Sequence, residues 1–110
     1  MDQKATRKAI LLIEEFRKLD PKMPIQMAHI LLLVALKPGV NMRQLMADTD
    51  LSKSSVTRHV EVLGDGGKTG PGLGLVVSRD SLEDRRFKEV RLTPAGERVI
   101  RSIIHYTGGE

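Results

Sequence analysis

Between Ser52 and Leu63 the chain carries small hydroxyls and one arginine on one side of a helical repeat. At about 100° per residue Val56, Val60 and Leu63 share a stripe, and Ser54, Thr57, Arg58 and Glu61 fall roughly opposite. Hydroxyls so placed can reach phosphates or base edges, and an arginine fork matches O6 and N7 of guanine. The candidate contact set on this helix is Ser52, Lys53, Ser54, Ser55, Thr57, Arg58 and His59, and Ser52 is also a good N-cap. A solvated helix face would use similar residue types, so this face alone leaves both readings open.

A second group of charges lies at Glu83-Asp84-Arg85-Arg86 and Lys88. It falls between two short β-favouring runs, Leu75-Val76-Val77 and Val90-Arg91-Leu92, with Asp80 to Asp84 as a polar connection. A hairpin tipped by Arg85, Arg86 and Lys88 can follow a minor groove and its phosphates. Asp80, Glu83 and Asp84 offer the opposite reading of a self-neutralised hairpin. The expected division is that Asp84 orients an arginine and the arginine meets DNA.

The elements that must position these groups are legible around them. Met42, Leu45, Met46 and Leu51 supply the apolar side of a shorter helix that ends near Thr49-Asp50, with Arg43 and Gln44 near its start, where each could reach phosphate or stand as an ordinary solvent-exposed residue. Two helices across a turn of a few residues match helix-turn-helix geometry. After Leu63, residues 64–74 lose apolar periodicity and read as a flexible glycine-rich loop. The Gly67-Lys68-Thr69 triplet invites comparison with a phosphate-binding loop, but that motif needs a glycine at position 62 and a preceding strand. Position 62 is Val, the preceding segment reads as helix, and Gly70-Pro71 blocks a following helix. The order helix, turn, helix, glycine loop, hairpin predicts a winged helix-turn-helix and duplex DNA as its partner.

The run Asp84-Arg85-Arg86, followed by Val90 and Leu92-Thr93-Pro94-Ala95-Gly96, resembles the wing and exit of the multiple-antibiotic-resistance regulator (MarR) family. Leu51-Ser52-Lys53-Ser54-Ser55-Val56-Thr57-Arg58 resembles the entry to that family's recognition helix. Together these motifs cover most of residues 41 to 100. The resemblance implies a bacterial or phage transcription regulator that binds a palindromic operator as a homodimer. By that analogy Ser54, Ser55, Thr57 and Arg58 face the major groove, and Arg86 enters the minor groove braced by Asp84. The family's Gly-Leu-Val junction has its counterpart in Gly74-Leu75-Val76, here displaced behind the glycine-rich insertion. The family's longer C-terminal helices, which build much of its dimer interface and effector pocket, have no counterpart in these 110 residues, so neither dimer geometry nor a small-molecule effector is inferred from the resemblance.

The predicted architecture is mainly α with a small β-hairpin, one winged helix domain over residues 1–110. Its helices run at about 2–20, 24–37, 41–49 and 52–63, its wing at 75–92 and its last helix at 94–106. Ala9, Leu12, Ile13, Phe16 and Leu19 share a face of the first helix, widened by Ile10 and Leu11. Val99, Ile100, Ile103 and Ile104 do the same for the last, which Thr93 caps ahead of Pro94. Surplus apolar surface on both suggests that they pack together and against a second copy, with Ile10, Ile13, Phe16, Ile100, Ile103 and Ile104 as interface candidates. Packing onto the monomer core is the simpler alternative. The run Met27 to Leu36 is about half of the ~20 residues needed to span a bilayer, so it reads as a buried core helix. His29 within it is expected to be partly buried in the core or at an interface.

The chain has 18 Lys and Arg against 14 Asp and Glu, a formal charge of +4 and no cysteine, with a pI near 9.7. This mild, spread excess fits a module that places a few arginines by shape, not a purely electrostatic binder. The start at Met1-Asp2-Gln3-Lys4 shows no secretory leader, and the cytoplasm is the expected compartment. His29, His59 and His105 fall on separate elements without metal-ligand spacing, so neither metal, cofactor nor enzymatic activity is expected. Thiol oxidation is excluded by the lack of cysteine. A protein-docking winged helix, such as an anti-repressor or a phage or plasmid adaptor, is the competing function. It would expose aromatics or aliphatics on its recognition face, whereas the three aromatics are Phe16, Phe87 and Tyr106, none of them on the Ser52 to Leu63 helix. The same scarcity counts against single-stranded RNA, which needs stacking platforms.

Overall fold

The computed structural model describes residues 1–67 and 70–108, so Lys68 and Thr69 of the glycine loop and the terminal Gly109-Glu110 lie outside it. Helix α1 (Gln3–Leu19) starts on Asp2, whose Oδ1 accepts from Ala5 N at 3.1 Å. Helix α2 (Ile25–Leu36) follows Pro24, which has no amide hydrogen to lose, and the Pro24 carbonyl accepts from Met27 N and Ala28 N. A two-residue strand β1 (Val40–Asn41) leads into α3 (Met42–Thr49). Here Asn41 accepts from Gln44 N at 2.8 Å and Gln44 Oε1 accepts from Asn41 N at 2.9 Å, a reciprocal cap. The turn to α4 (Lys53–Leu63) passes through Asp50 in the left-handed region, φ 59°, a conformation that Asp tolerates better than most residues.

The glycine-rich stretch is not the structureless loop its composition suggests. Strands β2 (Gly66–Gly67) and β3 (Gly70–Pro71) pair antiparallel, Gly66 opposite Pro71 and Gly67 opposite Gly70. The glycines permit this close backbone approach. A Cβ on Gly66 would lie 2.4 Å from Gly70 O, and one on Gly72 would lie 2.0 Å from Gly64 O. The returning chain then closes the end of α4. Leu73 N donates to Val62 O and Leu75 N to Leu63 O, both at 2.8 Å, so carbonyls left unpaired by the helix find partners.

Strands β4 (Val76–Asp80) and β5 (Lys88–Leu92) form the expected hairpin, from Val76 opposite Leu92 to Asp80 opposite Lys88. Asp80 therefore belongs to a strand and not to the connection. The short β1 pairs with the other edge of β5, giving the order β1-β5-β4. Two residues offer too little alternation for a strand to be recognised from sequence. Helix α5 (Pro94–His105) begins at Thr93, whose Oγ1 accepts from Gly96 N and donates to Gly74 O.

One core joins these pieces, with Ile30, Leu31 and Val34 of α2, Leu45 of α3, Val56 and Leu63 of α4, Val90 of β5 and Ile103 of α5 almost wholly buried. The apolar run of α2 is buried on one side only. Ile25, His29, Leu32 and Leu36 recur at helical spacing and are exposed, which places His29 at the surface and not in the core.

Candidate nucleic-acid interface

Burial fixes which side of α4 is free. Val56, Val60 and Leu63 are 0%, 5% and 0% exposed and hold the helix to the core. Lys53, Ser54, Arg58 and Glu61 are exposed, and Ser55 and Thr57 are partly so. Ser52 is the N-cap, accepting from Ser55 N at 3.2 Å, and its hydroxyl lies 3.1 Å from those of Ser54 and Ser55. The helix thus opens on a linked hydroxyl cluster beside the amides of its first turn, which favours anionic oxygens.

His59 is not part of this surface. It is 7% exposed, and its Nδ1 is buried with no hydrogen-bond partner among the described residues. At about 100° per residue it lies about 60° from Val56 and 40° from Leu63, so it turns with the core stripe. Burial, and secondarily the nearby Arg58 charge, push its pKa below the ordinary 6.5.

The connection between β4 and β5 is organised by Ser81, a residue without a role in the sequence reading. Ser81 is 6% exposed and its Oγ accepts from Glu83 N and Asp84 N, each at 3.2 Å. Asp84 then grips Arg86 at three points. Arg86 Nε and Nη2 donate to its two carboxylate oxygens at 3.0 Å, and the Arg86 amide donates to Oδ1 at 3.1 Å. The side-chain bonds from Arg86, followed by its amide, hold Asp84 below the usual carboxylate range and raise Arg86 in turn. This fork-to-fork pair fixes the guanidinium orientation while leaving its side chain 78% exposed.

Phe87, which the sequence reading counts among the three aromatics without giving it a role, connects the tip to α3. The guanidinium carbons of Arg43 and Arg86 each lie 5.9 Å from its ring centre, within cation-π range. Farther down the hairpin Glu89 takes Arg79 at 3.6 Å and Arg91 at 3.1 Å. Neutralisation is therefore partial. Arg85 and Lys88 are exposed and have no ion pair among the described residues.

Between α4 and the hairpin runs a cleft of about 470 Å³, lined by Lys53, Thr57 and Glu61 on one side and Arg85, Phe87 and Lys88 on the other. Arg43 is exposed, and so is Gln44, whose side-chain oxygen is committed to the α3 cap. The expected base- and phosphate-contacting residues other than His59 thus lie on α3, α4 and the hairpin tip. The cap could have been read from the spacing of Asn41 and Gln44, and the Ser81 turn from a serine two residues before an acidic pair. Nothing in the sequence marks Phe87 as the residue between two arginines.

The six dimer candidates divide. Phe16, Ile100 and Ile103 are 5%, 9% and 1% exposed and belong to the core of a single chain, where α1 packs on α5. Ile104 is half-buried against that core. Ile10 and Ile13, 52% and 50% exposed, remain uncovered. No helix among the described residues is long and apolar enough to cross a membrane.

No family model matches the chain, and no curated protein matches it. Solved structures do. A MarR family transcription regulator aligns over 91% of this chain and 60% of its own, with 23% identity and a TM-score of 0.65. A MarR transcriptional regulator from Methanosarcina mazei aligns over 90% and 65%, with 18% identity and a TM-score of 0.70. The MepR protein of S. aureus, in a complex with DNA, aligns over 94% and 75%, with 14% identity and a TM-score of 0.72. The chain therefore spans about 60% to 75% of the length of these proteins. The fold is the MarR-like winged helix.

Proposed function

We propose that this protein is a sequence-specific duplex-DNA-binding transcription regulator, acting as a homodimer on a palindromic operator and repressing by occlusion. The observation that carries the reading is the alignment of one exposed polar helix edge with one braced basic tip. Ser54, Thr57 and Arg58 stand clear of the core on α4, and the cleft beside that helix has Thr57 on one side and Arg86, held by Asp84, on the other. In this reading α4 enters the major groove, where Arg58 reads a base and the Ser52 to Ser55 hydroxyls take phosphates. The hairpin lays Arg86, Arg85 and Lys88 along the flanking minor groove, and Arg43 adds a phosphate contact from α3. A neighbour of the same fold solved with DNA supports the partner class. The exposed Ile10 and Ile13 of α1 support a contact between copies.

The test is selection of bound duplexes from a random library at about 150 mM salt, a strength at which non-specific phosphate binding is weakened. The expected result is a palindrome with half-sites about one helical turn, ~34 Å, apart. Binding that enriches no sequence and vanishes as salt rises would overturn it in favour of protein docking.

A further inference from the structure

Resting on the DNA-binding reading, we infer that Glu61 is a specificity-determining residue that accepts a hydrogen bond from the exocyclic amine of a cytosine in the major groove. The buried residues of α4 define where its outward direction lies. With Val56, His59, Val60 and Leu63 facing the core, the outward centre of the helix at about 100° per residue passes through Ser54, Arg58 and Glu61. Glu61 follows Arg58 by three residues and Ser54 by seven, so the three form one row along the groove-facing side. It is exposed and also lines the cleft toward the hairpin. Arg58 stands three residues away yet makes no ion pair with it, and no salt bridge engages Glu61 among the described residues.

The inserted β2–β3 hairpin adds the second support. The Glu61 carboxylate passes over Gly67, where a Cβ would come within 3.1 Å of Oε2. A side chain at position 67 would press on the carboxylate, and glycine leaves it room beside the end of α4. The glycine-rich insertion therefore has a consequence for the outward row and not only for the helix end.

A carboxylate on a phosphate-facing surface is unfavourable unless it meets a donor. When ionised it accepts only. In the major groove guanine shows O6 and N7, thymine shows O4, and adenine sets acceptor N7 beside its amine, whereas cytosine shows the N4 amine alone. A G·C pair read from the cytosine side satisfies Glu61, and a neighbouring guanine suits Arg58. Against guanine or thymine the carboxylate meets only acceptors, and against adenine an acceptor beside the amine, so Glu61 discriminates by repulsion as well as attraction.

The experiment repeats the library selection with wild type, Glu61→Ala and Glu61→Gln, with circular dichroism to confirm that each is folded. The inference predicts one cytosine per half-site in the wild-type motif that Glu61→Ala relaxes by about tenfold, other positions staying unchanged. Glu61→Gln should move that position toward adenine, whose N6 and N7 glutamine can pair with. If both variants bind every sequence more tightly by one common factor and keep the wild-type motif, Glu61 is a repulsive charge and the inference fails alone. If the wild type enriches no motif, the DNA reading fails and this inference falls with it.

Discussion

Replacing Gly96 with alanine adds one methyl group and should separate the base of the hairpin from α5. Its Cβ would stand 2.0 Å from Leu75 O, 3.0 Å from Leu75 C and 3.2 Å from a Leu92 methyl. Reaching even the 3.0 Å that real Cβ contacts respect requires about 1 Å of separation. The same Leu75 carbonyl accepts from Thr93 N at 3.0 Å, so that bond would stretch to about 4 Å and be lost. Leaving a buried acceptor unpaired costs about 1–3 kcal/mol. An opened gap of 0.5–1 Å also forfeits roughly a quarter to a half of each affected dispersion contact. Alanine's better helix propensity returns at most about 1 kcal/mol. The net expectation is a loss of about 1–3 kcal/mol, measured by urea unfolding, with Glu97→Ala, exposed on the next position, within about 0.5 kcal/mol of wild type. A Gly96→Ala protein as stable as wild type, or more stable, would refute the claim that close backbone packing fixes this residue.

Other outcomes follow from the site. Arg58→Ala should cost about 1–3 kcal/mol on the selected duplex and much less on a scrambled one, and equal losses on both would remove Arg58 from base reading. Asp84→Ala deletes a negative charge from the tip proposed to face DNA yet should weaken binding, because Arg86 loses its brace; tighter binding in an anisotropy titration would show that net charge outweighs orientation. His59 is held neutral by the fold, its pKa below the 6.5 of the unfolded chain. The unfolded chain then takes up the proton first, so stability should fall as pH drops through 6.5 toward the folded value, by up to about 1.4 kcal/mol per pH unit. His59→Leu should flatten that slope, and urea unfolding with unchanged slopes in both proteins would contradict the assignment.

What was legible in the sequence was whatever repeats. The apolar spacing of Val56, Val60 and Leu63 located the inner face of α4, and Ser52 and Thr93 marked the starts of α4 and α5. The motif Leu92-Thr93-Pro94-Ala95-Gly96 carried the resemblance, and its glycine now has a reason in the approach of Leu75. His59 was misplaced because histidine was weighed by type, when its angle about the helix already turned it toward Leu63. For Phe16, Ile100 and Ile103 amphipathic spacing reveals that a face is apolar but not which neighbour covers it, and the fold buries them within one chain. The β2–β3 pairing escaped because glycines without side-chain alternation give no strand signal. The position of Phe87 between Arg43 and Arg86 depends on how the hairpin packs against α3, a long-range fact that local pattern does not hold.

If α4 and the hairpin tip form one surface that meets duplex DNA, the contact can be followed amide by amide. A chain of 12.2 kDa suits amide chemical-shift mapping during titration with a duplex, first of arbitrary and then of selected sequence. Shifts are expected to concentrate at Ser52 to Glu61 and Ser81 to Lys88, with Arg43 included and the exposed sides of α1 and α2 unmoved. Shifts centred on the exposed Ile25, Leu32 and Leu36 side of α2, or none at any duplex concentration, would contradict it.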